Sequence, residues 1–487
     1  MHMRDTAAPT EDAVHAVHPD IAPMRAAFDV LKAASEADRT PPYATRLDRL
    51  RRLMALTAQH QHRIVEAISA DFGHRSAHET QIAEIFSTMA TIRQNMRHLR
   101  SWMKPRRVAT PIHMLPGRSR LLRQPLGVVG IIAPWNYPFQ LAFTPAAAAL
   151  AAGNSVMLKP SDLTPRLSAL LRELVEQSFA AHEMTVVTGG AEVGAAFSAL
   201  PFDHLFFTGS TSVGRIVAQA AARNLTPVTL ELGGKSPAII GADCKLDEAA
   251  PRLAYGKLLN AGQTCVAPDY ALVQRERVPE FVQAMQQAVA AMYPSVADNP
   301  DYTSIATPRH HERLLRLLAD ARDKGARVVP LAPQDGSGAC GRKLSPVLVL
   351  GAHDGMDLMR EEIFGPLLPV IAYDTLDDAL AYINRGERPL ALYWFGRSSA
   401  ERERVLNETI AGGVTVNDTI WHVAQENLPF GGVGASGMGG YHGEHGFRTF
   451  SKEKPVFIQA RWNSFGIFRA PYGRPVERLL DTLKALL

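Results

Sequence analysis

The sequence predicts an α/β protein built from two units in which strands and helices alternate. The first alternation covers residues 126–232, and the second begins after Lys235 and continues to Asn384. Strands that alternate with helices form parallel sheets with helices on both faces. Ligands bind such sheets at the carboxyl ends of the strands, where the polar motifs of this chain fall. We therefore expect the functional site at these strand ends.

Composition indicates an ordinary globular protein with more than one domain. The chain has 487 residues, of which 46% are apolar and 21% charged, and domains usually hold about 100–200 residues. The net charge is only +4, and the densest basic run, 104–107, contains no aromatic residue, so nucleic-acid binding is not expected. Three unevenly spaced cysteines form neither a disulfide framework nor a metal-binding pattern, which favours a reducing compartment such as the cytoplasm. Cys244 and Cys340 are expected to be incidental loop thiols.

The N-terminal region is expected to cover a larger body with amphipathic helices. Residues 1–24 mix charges with Ala, Pro and His, and predict a mobile tail without a signal peptide. Apolar residues then recur at helical spacing over 24–104. Two extended runs flank the turn signal Pro116-Gly117, so residues 107–124 predict a hairpin whose surface can pair with another subunit.

One uncharged stretch is long enough to span a membrane. Residues 124–158 contain no charged side chain, and about 20 apolar residues suffice to cross a bilayer. Pro134, Pro138, Pro145 and two asparagines interrupt the stretch, and unpaired backbone groups are costly in lipid. A buried strand, a loop and a buried helix are the better interpretation, so no membrane association is expected.

The first unit places polar motifs directly after strand-like runs. The strand over 126–133 ends in Pro-Trp-Asn-Tyr-Pro at 134–138, and the strand over 154–159 ends in Lys-Pro-Ser-Asp at 159–162. The strand over 204–207 leads into Thr-Gly-Ser at 208–210, which opens a helix. Amides at a helix N-terminus suit a phosphate group, although the glycine spacing is not G-x-G-x-x-G and a plain helix cap fits equally well. The other expected elements are helices over 145–152, 167–179 and 215–222 and a strand over 185–188.

Two further motifs combine glutamate with glycine. Glu231 closes the strand over 228–232 and precedes Gly233-Gly234, which predicts a tight turn that exposes the carboxylate. Glu361 and Glu362 precede a Gly-Pro turn and fit an exposed loop equally well. The remaining elements are strands over 238–240, 270–273, 326–329, 347–350 and 370–372, and helices over 247–259, 279–293, 309–324 and 376–384.

The C-terminal part contains a glycine-rich segment and an amphipathic helix. Residues 430–437 include four glycines, but their aromatic and apolar flanks favour a packed loop over a flexible linker. The helix predicted over 475–487 carries its leucines on one face. At thirteen residues it is too short to span a membrane, and we expect it to pack against the body or a partner subunit.

Cys265 lies in a run of small and apolar residues, Gly-Gln-Thr-Cys-Val at 262–266. A nucleophilic cysteine attacks as its thiolate and needs partial access and a polar setting, which a loop entering a cleft provides. Taken alone, a buried and inert cysteine is the more common case. The other motifs decide between these two interpretations.

Together these segments resemble the NAD(P)-dependent aldehyde dehydrogenase superfamily, from about residue 40 to residue 470. The runs Gly-Gln-Thr-Cys-Val-Ala-Pro-Asp-Tyr at 262–270 and Gly-Met-Gly-Gly-Tyr-His at 437–442 are similar to its class 3 branch, and within it to the bacterial coniferyl aldehyde dehydrogenases. The resemblance rests on motifs in one order: Pro-Trp-Asn-Tyr-Pro, Lys-Pro-Ser, Phe-Thr-Gly-Ser, Glu-Leu-Gly-Gly-Lys, Gly-Gln-Thr-Cys, Glu-Glu-Ile-Phe-Gly-Pro and Pro-Phe-Gly-Gly.

The resemblance implies a Rossmann-like NAD-binding domain, an α/β catalytic domain and a small β bridging element that pairs across a homodimer. The implied boundaries are 1–24 for the tail, 25–106 and 127–233 with part of 429–450 for the NAD-binding domain, 234–428 for the catalytic domain, 107–126 and 451–465 for the bridging element, and 466–487 for a C-terminal helical tail.

The resemblance also implies the catalytic roles. Cys265 attacks the aldehyde carbon and forms a thiohemiacetal, whose oxyanion receives hydrogen bonds from the Asn136 side chain and the Cys265 backbone N–H. Hydride transfer to the nicotinamide leaves a thioester, and Glu231 activates water for its hydrolysis. Relatives that transfer the acyl group to coenzyme A typically lack this glutamate, so we expect the free acid as product.

For the cofactor, the resemblance implies NAD, with NADP possible. Many relatives have Glu where this chain has Asp162, and an acid there disfavours the 2′-phosphate of NADP. Glu362 is expected to hold the nicotinamide ribose and Phe364 to pack near the nicotinamide. The other expected cofactor residues are Pro134, Trp135, Lys159, Ser161, Asp162, Gly209 and Ser210.

The implied substrate tunnel is aromatic and apolar, with one imidazole, which suits an aromatic, coniferyl-like aldehyde or another hydrophobic aldehyde. Leu141 and Phe430 are equally well explained as core residues, and His422 as a partner of a loop carbonyl. The alternatives are a fatty aldehyde dehydrogenase and a silent scaffold, although a scaffold should have lost one of the three catalytic residues. The expected tunnel residues are Tyr137, Leu141, Trp421, His422 and Phe430.

Overall fold

Three β-sheets organise the computed structural model, which describes residues 20–339, 341–463, 466 and 469–485. Two of the sheets, with six and seven strands, form the two expected α/β units, and the third has three antiparallel strands. Numbered in chain order, the strands are β1 Arg106–Val108, β2 Arg118–Pro125, β3 Val128–Ile132, β4 Ser155–Lys159, β5 Met184–Val186, β6 His204–Thr208, β7 Val228–Glu231, β8 Pro237–Ile240, β9 Tyr270–Gln274, β10 Arg327–Pro330, β11 Val347–Leu350, β12 Leu367–Tyr373, β13 Ala391–Phe395, β14 Gly413–Val416, β15 Gly437–Met438 and β16 Ser451–Ile458.

Helices connect and cover these strands. The α-helices are α1 Ile21–Ala37, α2 Tyr43–Gln59, α3 Gln61–Phe72, α4 Ala77–Thr80, α5 Ser87–Trp102, α6 Gln140–Ala152, α7 Pro165–Ser178, α8 Ala191–Ser198, α9 Thr211–Ala222, α10 Leu246–Leu258, α11 Val278–Met292, α12 Pro308–Asp323, α13 Asp357–Arg360, α14 Leu376–Arg385, α15 Ser399–Glu408, α16 Trp421–Ala424, α17 Gly443–Thr449 and α18 Arg474–Ala485. A π-helical turn, Gln81–Phe86, joins α4 to α5.

The six-stranded sheet confirms the first predicted unit. Its strand order is β15-β7-β6-β3-β4-β5, and every neighbouring pair is parallel except β15 with β7. The carboxyl ends of β3, β4, β6 and β7 therefore lie at one edge, and each is followed by one of the predicted polar motifs. The two-residue strand β15 was not predicted, because the glycine-rich segment that contains it has no alternating pattern.

The seven-stranded sheet has the order β10-β11-β12-β9-β8-β13-β14 and is parallel except for β10 with β11. The predicted strands of the second unit are confirmed. The sequence did not predict β13 and β14, nor the helices α8 and α15. Strand β13 is a short, fully buried apolar run, which periodicity alone does not distinguish from a helical segment.

Helix α6 is the buried helix expected in the uncharged stretch. Every residue from Leu141 to Ala152 is buried, and the helix contacts β3 and β4 as well as α2, α5 and α17. No described helix combines the length and apolar character needed to cross a membrane. The loop between β3 and α6, which carries Asn136, is thus anchored at both ends by core elements.

The third sheet contains the predicted hairpin, with one local difference. Strands β1 and β2 pair antiparallel, and β16 pairs with the other edge of β2. Residues Ile112–Met114, predicted as extended, instead form a 3-10 turn in which the Met114 N–H donates to the Pro111 carbonyl at 2.8 Å. A proline at the start of a helical turn is favourable because its φ is already fixed.

The predictions for the termini need one correction. Residues 1–19 of the expected tail lie outside the described residues, and the remainder leads into α1, where Met24 is buried. Helix α18 is present, but none of its described residues is fully buried, so its packing against the body or a partner subunit stays a prediction. Cys244 is a buried loop thiol, and Cys340 lies outside the described residues.

Candidate active site

Cys265 lies on a loop whose backbone is held by its own side chains. The loop follows α10 through the 3-10 turn Leu259–Gly262, in which Asn260 and Ala261 have φ of 55° and 53°. The Gln263 side chain donates to the Ser304 carbonyl at 3.0 Å and accepts from the Ala306 N–H at 2.8 Å. These bonds fix the turn against the segment before α12 and leave Cys265 half-buried.

Asn136 reaches this loop from the opposite unit. Its side-chain Nδ2 donates to the Gln263 carbonyl at 3.2 Å. The neighbouring Tyr137 hydroxyl lies 2.6 Å from Thr264 Oγ1. Two consecutive residues after β3 thus contact the two residues before Cys265. The structure therefore brings the Asn136 amide next to the nucleophile loop, as expected.

Glu231 ends β7 inside the protein, so its predicted exposure is wrong. Its side chain is only 2% exposed, and neither carboxylate oxygen has a hydrogen-bond partner among the described residues. Burial raises its pKa well above the ordinary glutamate value. Strand β15 pairs with this end of β7, because Gly437 lies opposite Glu231 and the Leu232 N–H donates to the Ser436 carbonyl at 3.1 Å. The result is an unsolvated carboxyl that accepts protons readily.

Glu362 lies against the glycine turn that follows Glu231. A Cβ added to Gly233 would lie 2.2 Å from Glu362 Oε2, so only glycine leaves room for this carboxylate. Burial, reinforced by the neighbouring Asp269, raises the pKa of Glu362 to about 8, although the Gly234 N–H donates to the carboxylate and opposes the shift. Glu362 is half-buried rather than part of a fully exposed loop.

Burial chiefly sets the protonation state of the Cys265 thiol, and two nearby carboxyl groups add to its effect. Burial raises the pKa of Cys265 to about 12, and the nearby charges of Glu362 and then Glu231 add to this shift. The backbone N–H groups of Cys265 and Val266 act in the opposite direction. Cys265 is therefore a neutral thiol at neutral pH in this arrangement, and removal of a nearby negative charge favours its thiolate.

A large cleft beside the carboxyl ends of β3, β4 and β6 contains most of the expected cofactor residues. It has a volume of about 810 Å³, and its first wall is formed by Pro134, Trp135, Lys159, Ser161, Asp162, Gly209 and Ser210. Ser210 caps α9 by accepting from the Val213 N–H at 3.4 Å, which leaves other first-turn amides available to an anion. Lys159 is 5% exposed, and burial lowers its pKa. A helix N-terminus, a buried cation and Asp162 fit the diphosphate and ribose of a dinucleotide.

The remaining expected cofactor residues lie beyond that cleft. Glu362 lines a neighbouring cavity of about 470 Å³ together with Gly233 and Gly234. Phe364 has φ of 52°, and its ring meets the Trp135 ring edge-on at 5.4 Å. Because Trp135 also lines the cleft, the segment that contains Glu362 and Phe364 lies next to the cofactor cleft.

The expected tunnel residues divide into a buried group and one exposed residue. Tyr137, Leu141, His422 and Phe430 are at most 9% exposed, whereas Trp421 is 61% exposed. His422 Nδ1 lies 2.7 Å from Thr415 Oγ1, so its ring pairs with a side chain and not with a loop carbonyl. Burial lowers the pKa of His422 to about 4, which keeps the imidazole neutral.

Comparison with known proteins identifies the family. Residues 5–456 match the aldehyde dehydrogenase family. The chain belongs to the aldehyde dehydrogenase family. It is an oxidoreductase that oxidises aldehydes with a nicotinamide dinucleotide, NAD or NADP.

Relatives and solved structures agree over almost the whole chain. A probable coniferyl aldehyde dehydrogenase of Pseudomonas aeruginosa is 50% identical, covering 95% of this chain and 97% of its own. The coniferyl aldehyde dehydrogenase of Pseudomonas sp. strain HR199 is 48% identical, with coverages of 94% and 96%. The substrate-bound AldH of Staphylococcus aureus superposes with a TM-score of 0.89 at 38% identity, covering 94% and 99%. An NAD+ complex of a Mycobacterium tuberculosis aldehyde dehydrogenase has a TM-score of 0.81 at 29% identity, covering 91% and 92%.

The second wall of the cofactor cleft was not predicted. It is formed by the first turns of α12 and includes Arg309, His310 and Arg313. The His310 ring stacks on Trp135 at 4.7 Å, and burial lowers its pKa to about 4. In the sequence, α12 has the pattern of an ordinary amphipathic helix, and nothing distinguishes its first turns from a solvated face.

Lys257 was also missed. This residue of α10 is 2% exposed, and its Nζ has no hydrogen-bond partner among the described residues. Burial lowers its pKa to about 8, although the charges of Asp269 and Glu362 oppose the shift. A lysine at an apolar position of a helix eight residues before the cysteine was the available signal.

The substitution Glu362→Gln tests the electrostatic control of Cys265. Removal of this carboxylate lowers the pKa of the thiol, so the variant holds more thiolate at a given pH. We expect iodoacetamide to alkylate Cys265 about three-fold faster than in the wild type at pH 9, equivalent to about half a pKa unit. Mass spectrometry of the Cys265 peptide measures the rate. Glu361→Gln is the control, because Glu361 is the exposed neighbour of Glu362. Equal alkylation rates for the wild type and both variants would contradict the effect of Glu362 on the Cys265 pKa.

Proposed function

We propose that Cys265, Asn136 and Glu231 carry out the oxidation of the aldehyde to the free acid. The observation that carries the proposal is the contact of the Asn136 amide with the peptide directly before Thr264 and Cys265. An amide beside the nucleophile loop and the backbone N–H of the nucleophile are the kinds of donor that a developing oxyanion needs. Glu231, buried and unpaired among the described residues, supplies a nearby proton acceptor.

In the proposed reaction, Cys265 Sγ forms a bond to the aldehyde carbon, and the thiol proton passes to solvent. The carbonyl oxygen becomes an oxyanion and accepts from Asn136 Nδ2 and the Cys265 N–H. A bound dinucleotide would supply the acceptor for the hydride that leaves this carbon. Water attacks the Cys265 thioester that remains, and Glu231 takes one proton from this water. The Cys265–carbon bond then breaks, Glu231 returns its proton to Cys265 Sγ, and the acid is released as a carboxylate after its own proton passes to solvent.

We propose NAD as the preferred cofactor, held by Lys159, Asp162 and the first turn of α9, with NADP accepted more weakly. Asp162 lines the same cleft as Lys159 and Ser210, and its carboxylate repels an additional phosphate on the adenosine ribose. Glu362 would hold the second ribose from the neighbouring cavity. The residues of this chain position and orient the dinucleotide and exclude water from it.

We propose an aromatic, coniferyl-like aldehyde as the preferred substrate. The names of the relatives at 50% and 48% identity support this choice. Aromatic side chains near the nucleophile support it as well, because Tyr137 contacts Thr264 and both Tyr137 and Tyr441 interact electrostatically with Cys265. The competing proposal is a medium- or long-chain aliphatic aldehyde.

We also propose a cytoplasmic homodimer whose subunits pair through the third sheet. Strand β16 pairs with β2 along one edge only, and Phe457 and Ile458 on it are each 44% exposed. An exposed apolar edge strand readily pairs with another chain. The exposed helix α18, whose leucines share one face, is a second candidate for this interface.

A panel of aldehydes tests the substrate preference, and the variant Cys265→Ala tests the role of the nucleophile. We expect formation of reduced nicotinamide with coniferyl aldehyde and benzaldehyde to exceed that with hexanal and a long-chain aldehyde. The variant should lose at least about 1,000-fold in rate, because no other group replaces the nucleophile. Chromatographic quantification of the reduced nicotinamide follows the reaction, because a conjugated aldehyde absorbs in the same near-ultraviolet region. Residual turnover of more than a tenth in the variant would exclude Cys265, and faster turnover of aliphatic aldehydes would favour the competing substrate class.

Cofactor preference is tested with Asp162→Ser. Loss of the carboxylate removes the repulsion of a 2′-phosphate, and we expect the kcat/KM ratio of NADP to NAD to rise about ten-fold, equivalent to about 1.4 kcal/mol. Glu312→Gln is the matched control, because Glu312 lines the same cleft on its opposite wall. An unchanged ratio in Asp162→Ser would contradict this assignment.

The dimer is tested with Ile458→Asp and multi-angle light scattering. We expect the wild type at twice the chain mass of 53.1 kDa and the variant shifted towards the single-chain mass, because a buried unpaired carboxylate is costly. Leu225→Asp introduces the same charge at a loop residue that is 89% exposed and should remain a dimer. A wild type of single-chain mass, or an unaffected Ile458→Asp, would argue against this interface.

A further inference from the structure

Arg75 lies behind the active site with its side chain completely buried. It follows α3, and its side chain is 0% exposed. Its Nη1 donates to the Asn136 backbone carbonyl at 3.1 Å and also to Glu84 Oε1. The guanidinium lies over the rings of Phe72 and Tyr137, at 5.1 and 4.9 Å. One side chain from the N-terminal helices therefore contacts two consecutive residues of the loop that carries the oxyanion donor.

Glu84 extends this contact to the start of α6. It lies in the π-helical turn Gln81–Phe86 and is 0% exposed. Its Oε2 accepts from the Phe139 N–H at 2.7 Å and from the Gln140 N–H at 3.1 Å. These amides belong to the otherwise unsatisfied first turn of α6. The ion pair thus fixes the loop at Asn136 and again three residues later.

The Asn136 peptide is held from the other unit as well. Asn260 Nδ2 donates to the Asn136 carbonyl at 3.0 Å, while the Asn136 side chain donates to Gln263. The carbonyl therefore has one donor from each side of the interface between the units. Loss of the Arg75 donor leaves Asn260 as the remaining donor to this carbonyl, so the peptide is held from one side only and the position of the side-chain amide is less fixed.

The burial of this pair indicates a role beyond stability. A buried ion pair seldom stabilises a fold more than apolar side chains of the same volume. Arg75 Nε and Nη2 also have no hydrogen-bond partner among the described residues. We propose that Arg75, supported by Glu84, is a positioning residue that holds the Asn136 amide in place for the oxyanion. This inference rests on the proposed role of Asn136.

The experiment compares Arg75→Met and Arg75→Lys with Asn136→Ala. Four quantities are measured: aldehyde turnover, hydrolysis of 4-nitrophenyl acetate, alkylation of Cys265 by iodoacetamide, and the Kd of NADH. The ester forms a tetrahedral oxyanion on the same thiol without hydride transfer, whereas alkylation forms no oxyanion. Arg49→Met is the matched control, because Arg49 forms a comparable buried pair with Glu183 at 3.1 Å, away from the site.

We expect Arg75→Met to lower kcat for both aldehyde and ester by about 10- to 100-fold, as small displacements of catalytic groups do. The alkylation rate and the NADH Kd should stay within about two-fold of the wild type. Arg75→Lys should recover part of the loss, because an ammonium can still donate to the Asn136 carbonyl. Arg49→Met should leave both activities within about two-fold. If Arg75→Met does not fold, Glu84→Gln and Arg75→Lys test the same prediction with smaller changes in volume.

The outcomes separate this inference from the proposed function. Inactive Asn136→Ala together with fully active Arg75→Met would overturn the role of Arg75 and leave that of Asn136 intact. Active Asn136→Ala would overturn both. Loss of alkylation and NADH binding in parallel with turnover would show a general structural defect, which also overturns the inference.

Discussion

The contact between the loop after β3 and the loop before β9 is the constraint on which the site depends. Asn136 and Tyr137 bond to Gln263 and Thr264, and these pairs come from the two different sheets. Parallel strands place their polar loops at one edge, but they do not by themselves bring the edges of two sheets together. The hydrogen bonds at 3.2 and 2.6 Å connect the two loops, and they fix the position of the nucleophile loop relative to its amide donor.

Around this contact the protein buries ionisable groups that water would otherwise stabilise. Burial raises the pKa values of Glu231 and Glu362 and lowers the pKa of Lys257. All three shifts favour the neutral form of the side chain. Each such group lowers the stability of the fold. The apolar burial of the surrounding core, above all of helix α6, offsets this loss of stability. In a site shielded from water, fixed dipoles and charges act on reacting atoms with little screening.

The sequence predicted the parts of the site that follow from local pattern. Strand-like runs ending in Asn136, Lys159 and Glu231 were sufficient to place these residues at one sheet edge. The exposure of Glu231 was predicted wrongly, because the strand that pairs with its end of β7 comes from residues more than two hundred positions later. The α12 wall of the cleft and the Arg75–Glu84 pair were missed for a similar reason. They depend on contacts between distant segments, and a buried arginine looks the same in a sequence as a solvated one.

The two glutamates near Cys265 differ in their hydrogen-bond donors, which the local sequence does not predict. Glu362 receives a backbone N–H and lies near the cations of Lys235 and Arg313, so its pKa rises only to about 8. Glu231 has no donor among the described residues, and burial alone raises its pKa. Carboxyl groups whose surroundings separate their pKa values are suited to different tasks. The carboxylate of Glu362, which has a hydrogen-bond donor, suits the binding of a hydroxyl group. The carboxyl group of Glu231, which has no donor among the described residues, suits the transfer of a proton. The turn after Glu231 contains Gly233, which leaves space for the Glu362 carboxylate, and Gly234, whose N–H donates to that carboxylate. This one turn therefore provides Glu362 with a donor that Glu231 does not have.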